Sequence, residues 1–597
     1  MCRIVGRVSK HIDFFQPQLQ AMLESVAHGG PDDTGTHIED GISLGHKRLS
    51  IIETGPMGHQ PMSSQSNDLV ITFNGEIYNY QKLQKELQTL GHVFFTNTDT
   101  EVILVAFEQW GTASFNKLEG IFAFALWDKS KSEFYLVRDH IGIKPLYYYL
   151  NRHELIFSSE VRAFTALERE WKEHPNWKIL FLAFGSIPFP FTTLDKVVQL
   201  QPGSYLKLGL TDFTFEKYRY HRFSDFNYSL RSNDQALKAT RESVFQALKK
   251  NLVSDVPIGI FLSGGIDSGL LAVVADKMTK NVRTLSVNFD ESLFDERANQ
   301  QNILEQTNNI EHISHRVSEQ MFWTHLPDIW AAMDQPSIDG VNSYFVARCA
   351  KLGGLKVALS GVGADESFGG YSSFSRIKWM KGIGKLPFLP FFASLARRYK
   401  KPYGRLTYLS LPGVVGNYLF LRGIFLPKEI AAILQIPEEE VWSELNKIQI
   451  PAPINYSDVE YASFLESTIY LTNQLLKDTD YMGMWHGVEI RVPFLDIELL
   501  KTVRSIPPHL RYKANHHKYL LTESHKDVLP RKVISQKKKG FTFPFKIWMQ
   551  NENDSFRKLL APNSFDQSIF NDFLQGKGHC SKSWSLAVLQ QFAHKQK

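Results

Sequence analysis

The second half of the chain alternates short apolar runs with longer stretches of helical period. An apolar run at 256–260, followed by a glycine-rich turn, predicts a buried strand, and residues 268–278 after it predict a helix. Apolar runs recur at 283–289 and 356–360, and apolar positions at helical spacing fill 234–252. Strands that alternate with helices predict a parallel sheet, and ligands bind at the carboxyl ends of the strands of such a sheet.

The first half is richer in strand patterns. A hairpin is predicted at 121–138 and a second at 146–159, each around a short polar turn. Residues 80–90 and 101–110, before these hairpins, predict helices. Sheets and helices are therefore both expected in the first half.

A polar stretch with neither helical nor strand period, at 221–233, separates the two halves and predicts a linker. We therefore expect a first domain at 2–220 and a second at 234–597. A chain of 597 residues of which 43% are hydrophobic can fill more than one core, which agrees with this division.

Composition excludes several classes of partner. The formal charge of +5 comes from 67 basic and 62 acidic residues, too nearly balanced for a nucleic-acid surface. Three scattered cysteines give neither a disulfide framework nor a metal-ligand spacing, which predicts a cytoplasmic protein. A basic, aromatic segment at 385–392 could lie on a membrane surface, but prolines interrupt it and such segments are more often solvated insertions, so membrane-surface contact is not expected.

The most specific motif of the chain is Ser263-Gly-Gly-Ile-Asp-Ser268, which directly follows the predicted strand. Backbone N–H groups of Ser263, Gly264 and Gly265, with the first turn of the helix, would offer donors to a phosphate. The motif resembles the pyrophosphate loop of the ATP pyrophosphatases, which cut ATP into AMP and pyrophosphate. The alternative, a turn that binds no ligand, accounts for the glycines but not for the Asp and the two Ser residues.

Cys2 becomes the first residue when the initiator Met is removed, so that its thiolate can act as nucleophile and its α-amine as base. Three motifs follow it, at 46–52 (His-Lys-Arg-Leu-Ser-Ile-Ile), 73–79 (Phe-Asn-Gly-Glu-Ile-Tyr-Asn) and 97–101 (Asn-Thr-Asp-Thr-Glu). Their order and spacing resemble the class II glutamine amidotransferase domain of glutamine-hydrolysing asparagine synthetases.

The resemblance assigns functions to individual residues of the first domain. Asn74 and Gly75 would form an oxyanion hole for the glutamine amide. Arg48 and Asp99, with help from Glu76, would hold the carboxylate and ammonium of glutamine. The alternative for Asn74-Gly75 is a type I′ hairpin turn, which this dipeptide favours.

The same resemblance covers the second domain, where Asp267 and Asp365 would bind Mg²⁺ and Glu366 would accept a proton from ammonia. Lys538 would stabilise the charge on the α-phosphate of ATP. An acidic pair such as 365–366 is also common at helix N-termini without any ligand. ATP binding is assigned to Leu262, Ser263, Gly264, Gly265, Asp267, Ser268, Val287, Ser360, Gly361 and Lys518.

The resemblance implies an α/β fold with two domains. The first would be a four-layer αββα N-terminal-nucleophile glutaminase domain, and the second a doubly wound parallel-sheet ATP pyrophosphatase domain with helical additions. This chain departs from the family pattern at Arg3, where Gly is usual, and at Gly29, where Arg is usual. Gln335 and Val362 stand where the asparagine-forming members carry carboxylates, which points to an acceptor other than aspartate.

The function implied is an ATP-dependent amidotransferase that takes ammonia from glutamine at Cys2 and passes it between the domains. There it would amidate an adenylated carboxylate, either aspartate or a related carboxylate, and release AMP and pyrophosphate. Glutamine, ATP with Mg²⁺ and a carboxylate would be its small-molecule partners, and a homodimer is possible. Two alternatives stay open. The chain could be an amide ligase or cyclase of the β-lactam synthetase type with an inactive glutaminase domain, or a non-catalytic sensor.

Overall fold

The first domain is built on two six-stranded antiparallel sheets, and β-strands are numbered β1–β17 in chain order. The computed structural model describes residues 2–11, 15–222, 226–308, 310–383, 403–513, 516–536, 540–562 and 564–595. The first sheet has the order β10 (Val198–Gln199), β8 (Tyr147–Leu150), β9 (Glu154–Ser158), β1 (Arg3–Ser9), β3 (Ile42–Arg48), β2 (Asp33–Glu39). The second has the order β12 (Phe215–Arg219), β11 (Ser204–Gly209), β7 (Glu133–Arg138), β6 (Gly120–Asp128), β5 (Leu69–Ile77), β4 (Met62–Ser63).

The two sheets pack face to face, because each turns one apolar side inward. Ile4 and Leu44 of the first sheet lie in one buried cluster with Val70 and Ala123 of the second. Helices cover the outer faces: Gln16–Ser25 lies on the first sheet, and Tyr80–Thr89 and Asp99–Trp110 lie on the second. The predicted four-layer αββα architecture is confirmed, as are both hairpins, β6–β7 and β8–β9. Two shorter helices complete this domain, Arg162–Thr165 and Trp177–Phe184.

The second domain contains a five-stranded sheet in which every pairing is parallel. Its order is β15 (Glu311–Arg316), β14 (Val282–Asn288), β13 (Ile258–Phe261), β16 (Val357–Leu359), β17 (Glu489–Arg491). Helices bury both faces, because side chains alternate along each strand: Ile260 packs on one side and Leu285 on the other. The doubly wound parallel sheet is confirmed.

Helices of the second domain surround this sheet and extend beyond it, as predicted for the helical additions. The α-helices near the sheet are Asn233–Asn251, Ile266–Asp276, Arg297–Leu304, Glu319–Ala332, Gly340–Leu352, Ala364–Phe368, Leu476–Trp485, Ile497–Arg504, Pro508–Arg511, Tyr519–Ser524 and Arg531–Ile534. The additions are Ser373–Ile383, Gly413–Arg422, Pro427–Leu434, Glu438–Lys447, Asp458–Leu465, the π-helical Glu466–Leu475, Phe545–Asn551, Asn553–Arg557, Ser564–Leu574 and Cys580–Lys595.

The structure corrects the prediction at the glycine loop and adds two strands to the parallel sheet. The helix after the glycine loop begins at Ile266 rather than at residue 268, so that Asp267 lies in its first turn. Strands β15 and β17 were not predicted, because one is largely polar and the other has only three residues. The basic segment 385–392 lies outside the described residues. Within the described parts of the chain, every helix is too short or too polar to cross a bilayer.

Candidate active site

Cys2 lies at the start of β1, buried, next to the middle of β5. Its backbone N–H donates to Asn74 Oδ1 at 3.1 Å, and burial raises the pKa of the Cys2 thiol. Asn74 and Gly75 do not form a turn, because they pair with Ala123 and Phe122 within the β5–β6 ladder. A side chain at position 75 would put its Cβ 2.1 Å from a backbone oxygen of β6, so glycine is required by close packing.

The acidic residues predicted to bind glutamine lie side by side. Asp99, in the first turn of its helix, accepts the backbone N–H of Ile77 at 2.9 Å, and Glu76 lies on the strand that carries Asn74. Burial raises the pKa of Asp99 to about 6. Burial, with repulsion from Asp99 and Glu489, raises the pKa of Glu76 well above its usual value. Two carboxyls that are costly to ionise when alone favour a ligand that carries a positive charge.

Arg48 ends β3 and serves the same corner of the domain. Its guanidinium donates to the carbonyl oxygens of Gly55 at 2.8 Å and Ile52 at 3.3 Å, and also to that of Glu53. A side chain at Gly58 would collide with Nη2 of Arg48. Arg48 is therefore fixed by the loop 52–58, and this loop brings the guanidinium to the predicted glutamine site.

The two departures from the family pattern, Arg3 and Gly29, explain each other. A Cβ on Gly29 would lie 2.6 Å from Cγ of Arg3, so the Arg3 side chain occupies the space that a larger residue at 29 would need. The Arg3 guanidinium contacts Glu160 at 2.5 Å and, in the second domain, Asp480 at 2.8 Å. The Arg3 guanidinium of β1 therefore lies close to position 29, where other members of the family usually carry an arginine.

The second domain contributes two residues to the surroundings of the glutamine site, and sequence reasoning assigned neither. Arg491 Nη2 of β17 lies 3.9 Å from Glu76 Oε1, and its Nε contacts Glu489. Arg491 Nη1 donates to the backbone oxygens of Asn251 and Val253. Both β17 residues are fully buried, so the wall beside Glu76 is completed across the domain interface.

The carboxyl ends of β13, β14 and β16 form one side of a cavity of about 430 Å³. The residues predicted for this site that line the cavity are Leu262, Ser263, Gly264, Gly265, Asp267, Ser268, Val287, Ser360, Gly361, Asp365, Glu366 and Lys518. Lys538 lies outside the described residues, between Gln536 and Gly540, which both line the cavity. The loop is held by its serines, since Ser268 Oγ accepts the Ser263 N–H at 3.2 Å.

Asp267 and Asp365 converge on one cation. Lys518 Nζ contacts Asp365 Oδ1 at 2.6 Å and also Asp267 Oδ2. Burial lowers the pKa of Lys518, but the two carboxylates outweigh it and raise the pKa. The approach of these groups depends on small neighbours, because a Cβ on Gly361 would lie 2.8 Å from Asp267 Cβ. The two carboxylates are therefore close enough to share a cation.

Glu366 is buried beside this pair. Tyr371 Oη donates to its Oε1 at 2.8 Å, and its Oε2 has no hydrogen-bond partner among the described residues. Burial and the neighbouring Asp365 charge raise the pKa of Glu366 to about 7. A carboxylate with that pKa can take up a proton near neutral pH, which suits a general base.

The structure also places residues in the cavity wall that sequence reasoning left without a role or did not find. They are Asp339, Asn342, Ser343, Tyr371, Tyr470, Asp478, Thr479, His517 and Phe541. Asp339, Asn342 and Ser343 come from the segment after Asp334-Gln-Pro336. Gln335 itself is elsewhere, since its side chain bonds Thr193 of the first domain. The carboxylate expected at position 335 would therefore not face the acceptor.

An apolar cluster lies between the two sites. It contains Ile121 and Ile143 of the first domain and Leu471, Val492 and Leu495 of the second, all buried. Val362, which lines the nucleotide cavity, packs against this cluster, and so does Tyr78, three residues from Gly75 on the chain. The cluster thus reaches from β5 and β6 of the glutamine site to the loop after β16.

A buried cysteine next to the first strand of an αββα fold, joined to a glycine-rich loop and helix on a parallel sheet, is the arrangement of a glutamine-dependent ligase. The glutamine amidotransferase domain family matches residues 1–220, and the asparagine synthase family matches residues 239–594. This chain therefore belongs to the asparagine synthase family, as a carbon–nitrogen ligase with glutamine as the amide donor.

Curated relatives match over most of their length. The chain is 31% identical to "Asparagine synthetase [glutamine-hydrolyzing] 1" of Bacillus subtilis over 98% of this chain and 96% of the relative. It is 29% identical to a putative asparagine synthetase of Mycobacterium bovis, over 88% and 84%, respectively. It is 26% identical to the amidase chry2 of Gibberella zeae, over 89% and 85%.

Proposed function

We propose that this chain releases ammonia from glutamine at Cys2 and uses it to amidate an adenylated carboxylate, either aspartate or a related acid. The observation that carries the proposal is the buried apolar cluster that joins the two sites, with Ile121 and Val362 near its two ends. Ammonia that crosses an apolar, water-excluding region stays unprotonated and keeps its nucleophilic lone pair.

In the first domain, the α-amine of Cys2 removes the thiol proton, and the thiolate attacks the side-chain amide of glutamine. The N–H of Gly75 and the amide nitrogen of Asn74 stabilise the oxyanion. Ammonia leaves, and water then releases glutamate from the thioester. Arg48 binds the glutamine carboxylate, while Asp99 and Glu76 bind its ammonium.

In the second domain, the acceptor carboxylate attacks the α-phosphate of ATP, and pyrophosphate leaves. The loop from Ser263 to Ser268 holds the phosphates, and Lys518 and Lys538 balance their charge. Asp267 and Asp365 would hold Mg²⁺, which fits two carboxylates that already share one cation in this structure. The ion would neutralise phosphate charge when bound.

Amide formation needs a base. Ammonia attacks the acyl carbon of the adenylate, AMP leaves, and Glu366 takes the proton that the new ammonium group loses. The pKa of about 7 suits this step, because the group then accepts the proton without being permanently protonated. Tyr371 orients the carboxylate through its hydrogen bond.

Three further proposals concern the chain as a whole. Domains at 2–220 and 234–597 with a linker at 221–233 fit the absence of helices and strands in the described residues between Arg219 and Asn233. A cytoplasmic location fits the scattered cysteines, since Cys2, Cys349 and Cys580 are all free. A homodimer is consistent with the family resemblance.

The deciding experiment measures glutamate release from glutamine and pyrophosphate release from ATP by the purified full chain, with a panel of carboxylates. Glutamate release together with carboxylate-dependent pyrophosphate release supports the proposal. Pyrophosphate release without glutamate release would instead indicate a ligase or cyclase with an inactive first domain. If neither product forms with any carboxylate, the chain is not an enzyme of this kind.

A further inference from the structure

Three carboxylates of the cavity wall, Glu296, Asp339 and Asp478, are used by neither the nucleotide nor the metal proposal, and the last two are linked to each other. Asp478 is buried and accepts the Ser337 hydroxyl at 2.6 Å. Asp339 accepts the Tyr470 hydroxyl at 3.3 Å. The Ser337 hydroxyl also accepts the backbone N–H of Asp339 at 3.3 Å, so one serine links the two residues. Burial raises the pKa of both carboxyls, and the Asp339 charge adds to the shift at Asp478.

The nearby cations are already engaged. Lys518, the single lysine or arginine among the described residues of the cavity wall, bridges Asp267 and Asp365, and the proposed role of Lys538 is at the α-phosphate of ATP. Arg422 lies behind the wall, paired with Glu466 at 2.6 Å and 3.7 Å from the ring centre of Tyr470. Lys477 donates to the Ile187 carbonyl at 3.1 Å, and burial lowers its pKa to about 7.

Two buried side-chain oxygens of this wall are acceptors that receive no hydrogen bond from the described residues. Glu366 is 1% exposed, and its Oε2 has no hydrogen-bond partner among the described residues. Asn342 Oδ1 also lacks one, although the Asn342 amide nitrogen donates to the Phe541 carbonyl at 3.2 Å. Buried acceptors that are left open are costly, so they indicate a ligand that brings donors.

We infer that the acceptor carries hydroxyl or ammonium donors beside its reacting carboxylate, and no second carboxylate. Asp339 and Asp478 accept hydrogen bonds from these donors. A second carboxylate would meet like charges with no free lysine or arginine in the described wall to offset them. The inference rests on the proposed function, because it needs the acceptor to be adenylated in this cavity.

The test uses adenylate mimics, so that the adenosine half brings each tail to the same place. Four 5′-O-(N-acylsulfamoyl)adenosines carry 3-aminopropanoyl, 3-hydroxypropanoyl, succinyl or butanoyl tails, which are close in size and differ in charge and polarity. Their dissociation constants are measured by calorimetry on the full chain, with 5′-O-sulfamoyladenosine as the tail-free reference. We expect at least one donor tail to bind about tenfold or more tightly than the succinyl tail, the effect of roughly one like-charge contact.

Variants assign the preference to the two carboxylates. Asp339→Asn and Asp478→Asn should each reduce the ratio between donor and succinyl tails about threefold or more, because one repulsive charge is removed. Asp328→Asn is the matched control, since its carboxylate is 59% exposed on the same domain and lines no part of the cavity. It should leave the ratio unchanged.

The outcomes separate the two proposals. If the succinyl mimic binds as tightly as both donor tails to the unmodified chain, the inference about the acceptor is wrong while the adenylate site stands. If the tail-free reference and all four mimics fail to bind, the adenylate site itself is wrong, and the inference falls with it. The tail ranking needs no variant, so it decides even if Asp478→Asn does not fold.

Discussion

The two active sites handle charge in opposite ways. In the proposed glutamine site, Asp99 and Glu76 lie together with raised pKa values, and the Arg491 guanidinium stays 3.9 Å from Glu76. In the proposed nucleotide site, Asp267 and Asp365 both contact the Lys518 ammonium. The first arrangement favours a small zwitterion whose ammonium supplies the missing charge. The second holds two carboxylates close together on one lysine, where they would also be able to hold the proposed Mg²⁺.

The largest expected effect is the loss of glutamine hydrolysis without any loss of ATP binding. Cys2→Ala should lower glutamate release by roughly a thousandfold or more, because the nucleophile is lost. Binding of MgATP, measured by calorimetry, should stay within a factor of about two. Cys580→Ala, a free cysteine far along the chain, is the matched control and should release glutamate normally. Residual release above a hundredth of the original rate would mean that another group attacks glutamine.

The reciprocal change acts on the nucleotide site. Asp267→Asn should weaken magnesium-dependent ATP binding by about tenfold to a hundredfold, because it removes one carboxylate from a pair and leaves Lys518 with a single partner. Calorimetry with and without Mg²⁺ measures the loss. Asp290→Asn removes an exposed carboxylate and should change nothing. Equal loss of ATP binding without Mg²⁺ would show that Asp267 acts on the loop rather than on a metal.

A smaller effect is expected when a residue of the second domain is changed and glutamine binding by the first domain is measured. In Glu489→Gln, Arg491 loses its carboxylate partner and can pair with Glu76, where it competes with the glutamine ammonium. KM for glutamine should rise about tenfold while kcat stays within about twofold, since the nucleophile is untouched. Glu498→Gln, which removes an exposed carboxylate paired with Lys501, is the control. An unchanged KM in a folded Glu489→Gln protein would contradict this assignment.

The pH dependence of glutamine binding should follow from the same acidic pair. The pKa of Asp99 is raised to about 6, so the carboxyl is neutral below that pH and no longer attracts the ammonium. KM for glutamine should therefore rise as pH falls below about 6, by up to tenfold per pH unit for one proton. Asp99→Asn should give a high KM that varies less with pH. A KM in the unmodified chain that is flat from pH 7 to pH 5 would refute the role of Asp99.

The smallest effect concerns the packing of Arg3 against Gly29. Gly29→Ala places a Cβ 2.6 Å from the Arg3 side chain and should lower the free energy of unfolding by about 1–3 kcal/mol, read from denaturant melts. Gly29→Arg alone should also lower the free energy of unfolding. The double variant Arg3→Gly, Gly29→Arg should be more stable than Gly29→Arg alone, because removal of the Arg3 side chain frees the space. Additive effects in this double-mutant cycle would mean that the two positions are independent.

Sequence patterns predicted the parts of the fold that have a local signature. The hairpins around β6–β7 and β8–β9 alternate clearly, and the glycine loop before Ile266 has a specific motif. Strand β17 was not predicted, because its three residues are all buried and show no alternation of apolar and polar positions. The same holds for the sites: motifs indicated Cys2 and Asp365, and the structure brought each predicted set together in the part of the chain that it describes.

Residues that act across long sequence separations could not be found in this way. Arg491 lies 415 positions from Glu76, as the difference of their numbers shows, and only the folded chain brings them to 3.9 Å. Asp478 sits in an ordinary helix, and its place in the cavity wall depends on where the helix packs. Gln335 was misleading for the same reason, because its motif position suggested the acceptor and its side chain faces Thr193.

The three residues of β17 serve both halves of the enzyme at once. Ile490 lines the nucleotide cavity, its two neighbours face the glutamine pocket, and the Arg491 carbonyl accepts the Ser360 N–H at 2.8 Å. If the chain were cut at 221–233 and the two domains were produced separately, this strand would lose the first-domain residues that pack on it. Water would then reach the ion pair between Glu489 and Arg491. The two domains are thus ill suited to being produced separately. A second domain fused to a different first domain would need a complementary interface at this strand.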